Sequence, residues 1–338
     1  MQKAFIMGVA GLALTPAECA FLASEKPAGL ILFARNCESG AQIRQLVTEF
    51  KQAVGTSDVL VLIDQEGGRV QRLRPPISRL LPPAAAFLAH HPGQIAAACT
   101  AAFLLARLTA EDLLSFGINT SCAPVLDVPV AGAHDIIGNR AYSRSPDEVT
   151  KLGGAVADGL MAGAVLPVMK HIPGHGRAGA DSHLELPAVG TSREVLESTD
   201  FAPFKALAHL PAAMTAHVLY TAIDAAEPAS TSLVVTRDII RRQIGFDGLL
   251  MSDDLSMKAL SGSFGDRTRR VITSGSDLAL HCNGDLDEMR EVAAFAPVLI
   301  GQARRRFDAA LAVTRAPQRP YDRTSALVEL DRLLASVA

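Results

Sequence analysis

The 338-residue sequence contains no tryptophan, only three tyrosines and no excess of basic residues. Its 32 Lys and Arg residues against 35 Asp and Glu give a formal net charge of −3, which offers no electrostatic footprint for nucleic acid. The only basic run, at 304–306, predicts the solvated face of a C-terminal helix. We therefore expect no nucleic-acid partner.

Paired cysteines and long apolar runs are also missing. The five cysteines are odd in number, widely spread and form no CxxC pair. This pattern argues against a disulfide framework or a thiolate zinc site and predicts reduced thiols. The amino terminus has too short and broken an apolar stretch for a signal peptide, and no window has the length of a membrane span. We expect a cytoplasmic protein with no membrane partner.

What the chain does contain is an alternation of short apolar runs with longer helix-like segments. Hydrophobic residues make up 49% of the chain, enough for a sizeable core. The strand candidates are 4–8, 29–33, 59–63, 119–123, 165–169, 212–215, 248–252 and 277–280. The helix candidates between them are 41–54, 95–116, 146–162, 194–207, 236–244 and 264–274.

Strands that are apolar throughout, each followed by a helix, are typical of parallel βα units with a sheet buried on both faces. We predict an α/β fold in which residues 1–338 form a single (β/α)8 TIM-like barrel. Residues from about 285 to 338 are predicted to form a helical tail packed on it, broken near Pro317 and Pro320. A doubly wound open sheet is the alternative architecture.

One segment concentrates groups that transfer protons. Three histidines, a lysine and an aspartate lie among glycines and a proline: Lys170, His171, His175, Asp181 and His183. Neither a helix nor a strand accommodates such a segment well, so we predict a loop. The acidic pair Asp253 and Asp254 follows a later apolar run. Together these residues supply the parts for acid–base and nucleophilic chemistry, and they predict an enzyme.

Further polar residues fall where the predicted strands end. Asp64, His217 and His281 follow three apolar runs, in addition to Lys170 and Asp253. Any one of them could cap the next helix. Because the C-terminal strand ends of a βα barrel meet at one mouth, however, several together predict a site for a small molecule.

Five segments resemble, in order and with compatible spacing, the motifs of glycoside hydrolase family 3, and most closely those of its β-N-acetylhexosaminidases. They are Leu-Phe-Ala-Arg-Asn at 32–36, Ile-Asp-Gln-Glu-Gly-Gly-Arg-Val-Gln-Arg at 63–72, Gly-Asn-Arg-Ala-Tyr-Ser at 138–143, Lys-His-Ile-Pro-Gly-His-Gly at 170–176 with Asp-Ser-His at 181–183, and Ser-Asp-Asp-Leu-Ser-Met at 252–257. The match spans about residues 4 to 284. Ile172 departs from the phenylalanine usual in the fourth motif, which changes ring packing and no charged contact.

The resemblance implies a TIM-like barrel without the sandwich domain of larger relatives. It implies hydrolysis of a terminal β-linked N-acetylglucosamine with retention of configuration. The substrate implied is N-acetylglucosaminyl-anhydro-N-acetylmuramic acid, with or without its peptide, in cytoplasmic recycling of cell-wall fragments. No cofactor and no metal ion are implied.

The resemblance also implies roles for individual residues. Asp253 matches the catalytic nucleophile, and Asp181 with His183 matches a general acid/base dyad on a mobile loop. The positions that bind the sugar are matched by Asp64, Arg72, Arg140, Lys170 and His171. The dyad is chemically reasonable, because imidazole titrates near neutral pH and a neighbouring carboxylate can orient the ring.

Roles are also expected for several nearby residues. His175 either braces the loop or contacts ligand, and Tyr142 either stacks on ligand or packs. Glu66 is expected to orient Arg69 through an ion pair, and Asp254 to make structural hydrogen bonds. Arg35 and Asn36 are expected to brace the barrel mouth.

Three other functions are compatible with these residues. A metal-dependent barrel hydrolase would use His171, His175, His183 and Asp253 as ligands, although no HxH pair or HExxH helix is present. A non-catalytic sugar-binding protein would not need a nucleophile and a dyad together. Phosphorolysis on the same site would replace water with phosphate in the second step, since a histidine repels phosphate less than a carboxylate does.

Overall fold

A computed structural model describes residues 1–335 and shows a closed barrel of eight parallel strands. We label them β1 (Lys3–Met7), β2 (Pro27–Leu32), β3 (Leu60–Ile63), β4 (Thr120–Ser121), β5 (Leu166–Ile172), β6 (Ala212–Thr215), β7 (Leu249–Asp254) and β8 (Leu278–His281). Each strand pairs with its chain neighbours, and β8 closes on β1 with Ile6 opposite Leu280. Every strand overlaps a predicted apolar run, so the predicted barrel is confirmed and the open sheet was the wrong alternative.

Helices surround the barrel. They are α1 (Pro16–Glu25), α2 (Gly40–Val54), α3 (Ala86–His90), α4 (Ile95–Ser115), α5 (Pro146–Ala162), α6 (Arg193–Ser198), α7 (Ala202–Ala206) and α8 (Phe264–Thr273), together with a π-helical segment Val235–Ile244 and the 3₁₀ turns Ala34–Asn36 and Gly138–Arg140. The predicted helix 194–207 is wrong in one respect, because it is two helices. Pro203 cannot donate a backbone N–H inside a continuous helix, and it lies in the first turn of α7 instead.

The C-terminal segment is helical as predicted. Its helices are α9 (Leu286–Phe295), α10 (Gly301–Thr314) and α11 (Arg323–Leu334), and Pro317 and Pro320 lie in the break between the last two. Phe307 and Leu311 of α10 are buried in the same cluster as the side chains inside the barrel, so α10 covers the N-terminal end of the barrel. Residues 336–338 of the predicted tail lie outside the described residues.

The two ends of the barrel differ in their polar groups. At the N-terminal end, the buried Asp277 accepts hydrogen bonds from Arg241 (2.9 Å), Arg306 (3.0 Å) and the backbone N–H of Leu250 (2.9 Å). This end is therefore closed by ion pairs as well as by α10. The C-terminal end is open and polar, and it holds the candidate site.

Two short two-stranded sheets lie at the open end. Gln65–Gly67 pairs with Val70–Gln71 in a hairpin after β3, and Ala188–Val189 pairs with Leu219–Tyr220. No helix within residues 1–335 is long and apolar enough to cross a membrane.

Candidate active site

A pocket of about 310 Å³ opens at the C-terminal ends of the strands. It brings together every predicted catalytic and sugar-binding side chain except Asp181, which pairs with one of them: Asp64, Arg72, Arg140, Lys170, His171, His183 and Asp253. The prediction that strand-end polar residues converge on one mouth is therefore confirmed for Asp64, Lys170, His171 and Asp253. His217 and His281 are strand-end residues that do not line the pocket.

The floor of the pocket is a network of buried charges. The Nζ atom of Lys170, on β5, lies 2.8 Å from Asp64 and 2.5 Å from Glu66. Asp64 also accepts a hydrogen bond from Arg72 at 2.9 Å, and both oxygens of Glu66 accept from Arg140 at 2.8 Å. Only 3% of the Lys170 side chain and 6% of the Glu66 side chain are exposed, so these charges depend on one another.

Each carboxylate in the network stays ionised in spite of its burial. Burial by itself would raise the pKa of Asp64, but Lys170 and then Arg72 hold the pKa of that carboxyl well below its usual range. Burial would likewise lower the pKa of Lys170, but Asp64 and Glu66 raise it. The network therefore presents fixed donors and acceptors of the kind that bind vicinal sugar hydroxyls.

The expected ion pair between Glu66 and Arg69 is wrong. Glu66 faces Arg140 and Lys170, whereas Arg69 donates to the backbone carbonyls of Asp135 (2.5 Å) and Ile136 (2.6 Å). The physical reason is the hairpin turn between them. Two consecutive glycines there have positive φ angles of 107° and 56°, which reverse the chain and send the two side chains apart.

The acidic pair at the end of β7 differs in its hydrogen bonds. Both aspartates line the pocket, and one oxygen of Asp253 accepts the N–H of Asp254 at 2.8 Å. Asp254 accepts the N–H groups of Ser256 (3.0 Å) and Cys282 (3.1 Å), so its predicted structural role is consistent with its contacts. Burial opposes ionisation of Asp253, yet the nearby imidazoles of His171 and His217 hold its pKa below the usual value.

His217 and His281 support the barrel mouth from behind. His217 is fully buried between the hydroxyl of Ser230 (2.7 Å) and the carbonyl of Asp254 (3.0 Å), and burial lowers its pKa. His281 lies 2.9 Å from Glu288 on α9. Close to His281, Arg35 donates to the carbonyls of Val9 and Cys282, as expected for a bracing residue, and Asn36 also donates to Val9.

The predicted dyad is formed on an exposed loop. Nδ1 of His183 lies 2.8 Å from Asp181, which also accepts the backbone N–H of His183 at 2.9 Å. The imidazole of His183 is 59% exposed and lines the pocket. Burial would raise the pKa of Asp181, but its hydrogen bonds with His183 lower it, so a carboxylate holds the ring.

His175 lines the pocket, whereas Tyr142 does not. Nε2 of His175 lies 3.1 Å from the hydroxyl of Ser182, and both side chains are buried, so His175 braces the loop as well as lining the pocket. Burial lowers the pKa of His175 to about 4. Tyr142 packs against Phe87 at 6.4 Å between ring centroids and lies outside the main pocket.

Asp127 is a site residue that the sequence-based prediction missed. It is fully buried, and its carboxylate lies 2.7 Å from Nδ1 of His171 and accepts the backbone N–H of His175 at 2.7 Å. The signal that would have found it was present, because Asp127 follows an apolar run after predicted strand 119–123.

The metal-ligand alternative is not favoured by this geometry. Among residues 1–335, no three His, Cys, Asp or Glu side chains are arranged so that they could hold a metal ion. The Nδ1 atoms of His171 and His183 instead face the carboxylates of Asp127 and Asp181.

Residues 6–312 match the family model described as the glycosyl hydrolase family 3 N-terminal domain. The chain belongs to glycoside hydrolase family 3. It is similar to proteins named beta-hexosaminidase from Neisseria meningitidis serogroup C (39% identical over 295 residues, 84% of this chain and 79% of the relative) and Methylococcus capsulatus (41% over 279 residues, 81% and 80%).

Solved structures are also similar to this chain. Native NagZ from Neisseria gonorrhoeae is similar to this chain with a TM-score of 0.87 and 33% identity, covering 98% of both chains. The same protein in complex with N-trifluoroacetyl-D-glucosamine matches with a TM-score of 0.87 and 32% identity, again over 98% of both chains. The chain is a glycoside hydrolase of this NagZ-type group.

The charge network predicts acid sensitivity that can be traced to Asp64. Because its folded pKa is lowered, its contribution to stability is complete above its unfolded pKa and is lost as the pH falls. Each additional proton bound by the unfolded state changes the unfolding free energy by about 1.4 kcal/mol per pH unit. We expect Asp64→Asn to be less stable than the parent at neutral pH and to lose less stability between pH 5 and pH 3.

Denaturant unfolding at each pH measures this effect. Asp308→Asn is the matched control, because Asp308 forms an exposed pair with Arg304, and such pairs contribute little. If the unfolding free energy of Asp64→Asn falls as steeply with decreasing pH as that of the parent, the network is not the source of the acid sensitivity.

Proposed function

We propose that this chain is a retaining exo-β-N-acetylglucosaminidase that releases terminal β-linked N-acetylglucosamine through a covalent glycosyl-aspartate intermediate. The observation that carries the proposal is the presence of Asp253 and the His183–Asp181 dyad at one pocket, above a floor of fixed charges. The names of the relatives, and the glucosamine derivative bound to one of them, support the choice of sugar.

In the first step, a carboxylate oxygen of Asp253 attacks the anomeric carbon while the bond from that carbon to the leaving oxygen breaks. His183 gives its Nε2 proton to the leaving oxygen. Asp181, bonded at Nδ1, keeps the ring oriented with Nε2 toward the pocket. The products are the shortened sugar chain and a glycosyl ester on Asp253.

In the second step, His183 takes a proton from water as the water oxygen attacks the anomeric carbon. The ester bond to Asp253 breaks, which restores the carboxylate. The proton taken from water leaves His183 ready to act as the acid again. Two displacements at one carbon give retention of configuration. The lowered pKa of Asp253 suits this role, because the nucleophile must be ionised at neutral pH.

Sugar binding falls to the network on the pocket floor. We assign Asp64 as an acceptor for vicinal hydroxyls, and Lys170 and Arg72 as donors, with Arg140 and His171 completing the set. Lys170 has three N–H groups, of which two are taken by Asp64 and Glu66, so one is left for a hydroxyl.

The physiological substrate is a finer part of the proposal. The motif resemblance supports N-acetylglucosaminyl-anhydro-N-acetylmuramic acid, with or without its peptide, as a product of cell-wall turnover. Five cysteines without disulfides support a reducing compartment such as the cytoplasm.

A substrate panel tests the sugar specificity and the reaction type. We expect β-linked N-acetylglucosaminides to be turned over well and plain β-glucosides poorly, with free N-acetylglucosamine as the product whether or not phosphate is present. Equal rates on both sugars would contradict the aminosugar specificity. Release of a sugar phosphate, with a rate that rises with phosphate concentration, would instead identify phosphorolysis.

Asp253→Ala should remove the covalent step. We expect kcat to fall by about 10³-fold or more with the fold retained, because the carboxylate at a rigid strand end is the group that attacks. A fluorinated sugar that slows the second step should leave a stable adduct on Asp253 in the parent, detectable by peptide mass spectrometry. An adduct on Asp254 would refute the assignment.

Replacement of His183 should depend on the leaving group. A sugar alkoxide needs a proton to leave and a nitrophenolate needs little help, so His183→Ala should cost about 10²-fold or more on a disaccharide and far less on a nitrophenyl glycoside in the first step. Azide should speed breakdown of the accumulated intermediate and give a β-glycosyl azide.

Asp181→Asn is the matched variant for the same test, and it should show a milder version of the pattern because the ring loses its orienting charge. Equal losses on both substrates, with no effect of azide, would remove His183 as the acid/base.

A further inference from the structure

The segment after β4 brings a buried carboxylate against the end of β5. Lys170 donates its backbone N–H to the carbonyl of Pro124 (3.0 Å), and the N–H of Leu126 returns to the carbonyl of Lys170 (2.7 Å). Residues 123–126 therefore extend the line of β4 beside β5. Asp127 follows directly, with no exposed surface, and faces the segment that begins at His171.

Three N–H groups of that segment converge on the Asp127 carboxylate. Oδ2 lies 2.7 Å from Nδ1 of His171, and Oδ1 accepts the backbone N–H groups of His171 (3.2 Å) and His175 (2.7 Å). Burial would raise the pKa of Asp127, but the adjacent His171 imidazole and these hydrogen bonds lower it to about 2. The carboxylate is thus ionised and can only accept hydrogen bonds.

This contact decides which nitrogen of His171 carries a proton. Because an ionised carboxylate cannot donate, the short contact requires a hydrogen on Nδ1 of His171. The ring is then held with Nε2 as the atom available to the pocket that His171 lines.

The same carboxylate anchors the base of the loop that carries the dyad. Gly174 has a φ of 141°, and a Cβ added at Gly176 would lie 2.1 Å from the carbonyl oxygen of Val128. The start of the loop therefore lies flat against the segment that contains Asp127. From there the His175 side chain reaches Ser182 at 3.1 Å, one residue before His183.

We propose that Asp127 is a positioning residue with two outputs: it orients His171 toward the sugar, and through the backbone of His175 it holds the loop that presents His183. This inference rests on the proposed function, in which His171 contacts the sugar and His183 is the acid/base. It differs from a purely structural role because it predicts two separable kinetic effects.

Asp127→Asn tests both outputs at once. A neutral asparagine oxygen accepts the two backbone N–H groups more weakly than the carboxylate does, which loosens the hold on the loop. Its NH₂ group must face Nδ1 of His171 and forces the opposite tautomer. We expect the inhibition constant of free N-acetylglucosamine to rise by about tenfold, since the ring nitrogen at the pocket changes from acceptor to donor. We also expect kcat/KM to fall by about tenfold more on a disaccharide than on a nitrophenyl glycoside, as the acid is less well placed.

Two further variants distinguish these two kinetic effects from a general loss of stability. Ser182→Ala leaves Asp127 and His171 in contact. It should therefore reproduce the dependence on leaving group without raising the inhibition constant of N-acetylglucosamine. Asp277→Asn changes another buried carboxylate at the opposite end of the barrel, and it should lower the melting temperature while leaving both kinetic measures unchanged.

The inference is overturned if Asp127→Asn binds N-acetylglucosamine normally or loses activity equally on both substrates. It is also overturned if Asp277→Asn shows the same two effects. Should Asp127→Asn fail to fold, ¹⁵N NMR of the unaltered protein decides, because Nδ1 of His171 must be protonated and Nε2 unprotonated in the neutral ring. Absence of turnover by the unaltered protein on any N-acetylglucosaminide would instead defeat the proposed function.

Discussion

The ion pairs of Lys170 with Asp64 and Glu66 are the interaction on which the site depends. They join the end of β5 to the end of β3 and to the hairpin after it, where Arg140 also meets Glu66. Removing one partner would leave an uncompensated buried charge, which is strongly destabilising. The pairs therefore keep their geometry before any sugar arrives, and preorganised charges of this kind need no rearrangement during the reaction.

The site combines this rigid floor with the exposed loop that carries Asp181 and His183. Lys170 is 3% exposed and lies on a barrel strand, whereas His183 is 59% exposed and lies on a loop. In the proposed mechanism, attack on the anomeric carbon needs a fixed carboxylate, the role that we assign to Asp253 at the end of β7. Proton transfer needs a group that can meet different leaving oxygens, and an imidazole on an exposed loop suits that task. Asp127 links the two parts, since its carboxylate contacts His171, next to Lys170, and the backbone of His175, whose side chain reaches Ser182 on the loop.

The sequence predicted the architecture well because barrel strands carry a strong local signal. A strand buried on both faces reads as an unbroken apolar run, and the first polar residue after it marks the mouth, as Asp64 and Asp253 do. The same logic would have found Asp127. The strand predicted at 119–123 stops short of it, because Pro124 interrupts the apolar run, although the chain continues beside β5 as far as Leu126.

The partner of Glu66 was beyond sequence reasoning for a different reason. Neighbours in sequence suggested Arg69, but the glycine turn between them separates the side chains, and the true partners Arg140 and Lys170 are distant in the chain. The prediction of one helix at 194–207 was wrong for a local reason, because Pro203 has no backbone N–H to donate inside a continuous helix. Long-range charge pairing depends on barrel closure, which no local pattern encodes.

A crystal structure of the Asp253→Asn variant with a bound N-acetylglucosaminide would test most directly the claim that the floor places the sugar for attack at Asp253. We predict that hydroxyl groups of the sugar form hydrogen bonds with Asp64, Lys170 and His171. The anomeric carbon should lie about 3–3.5 Å from the side-chain oxygen of residue 253. A sugar bound with its anomeric carbon turned away from that residue, or held without contacts to Asp64 and Lys170, would contradict the account.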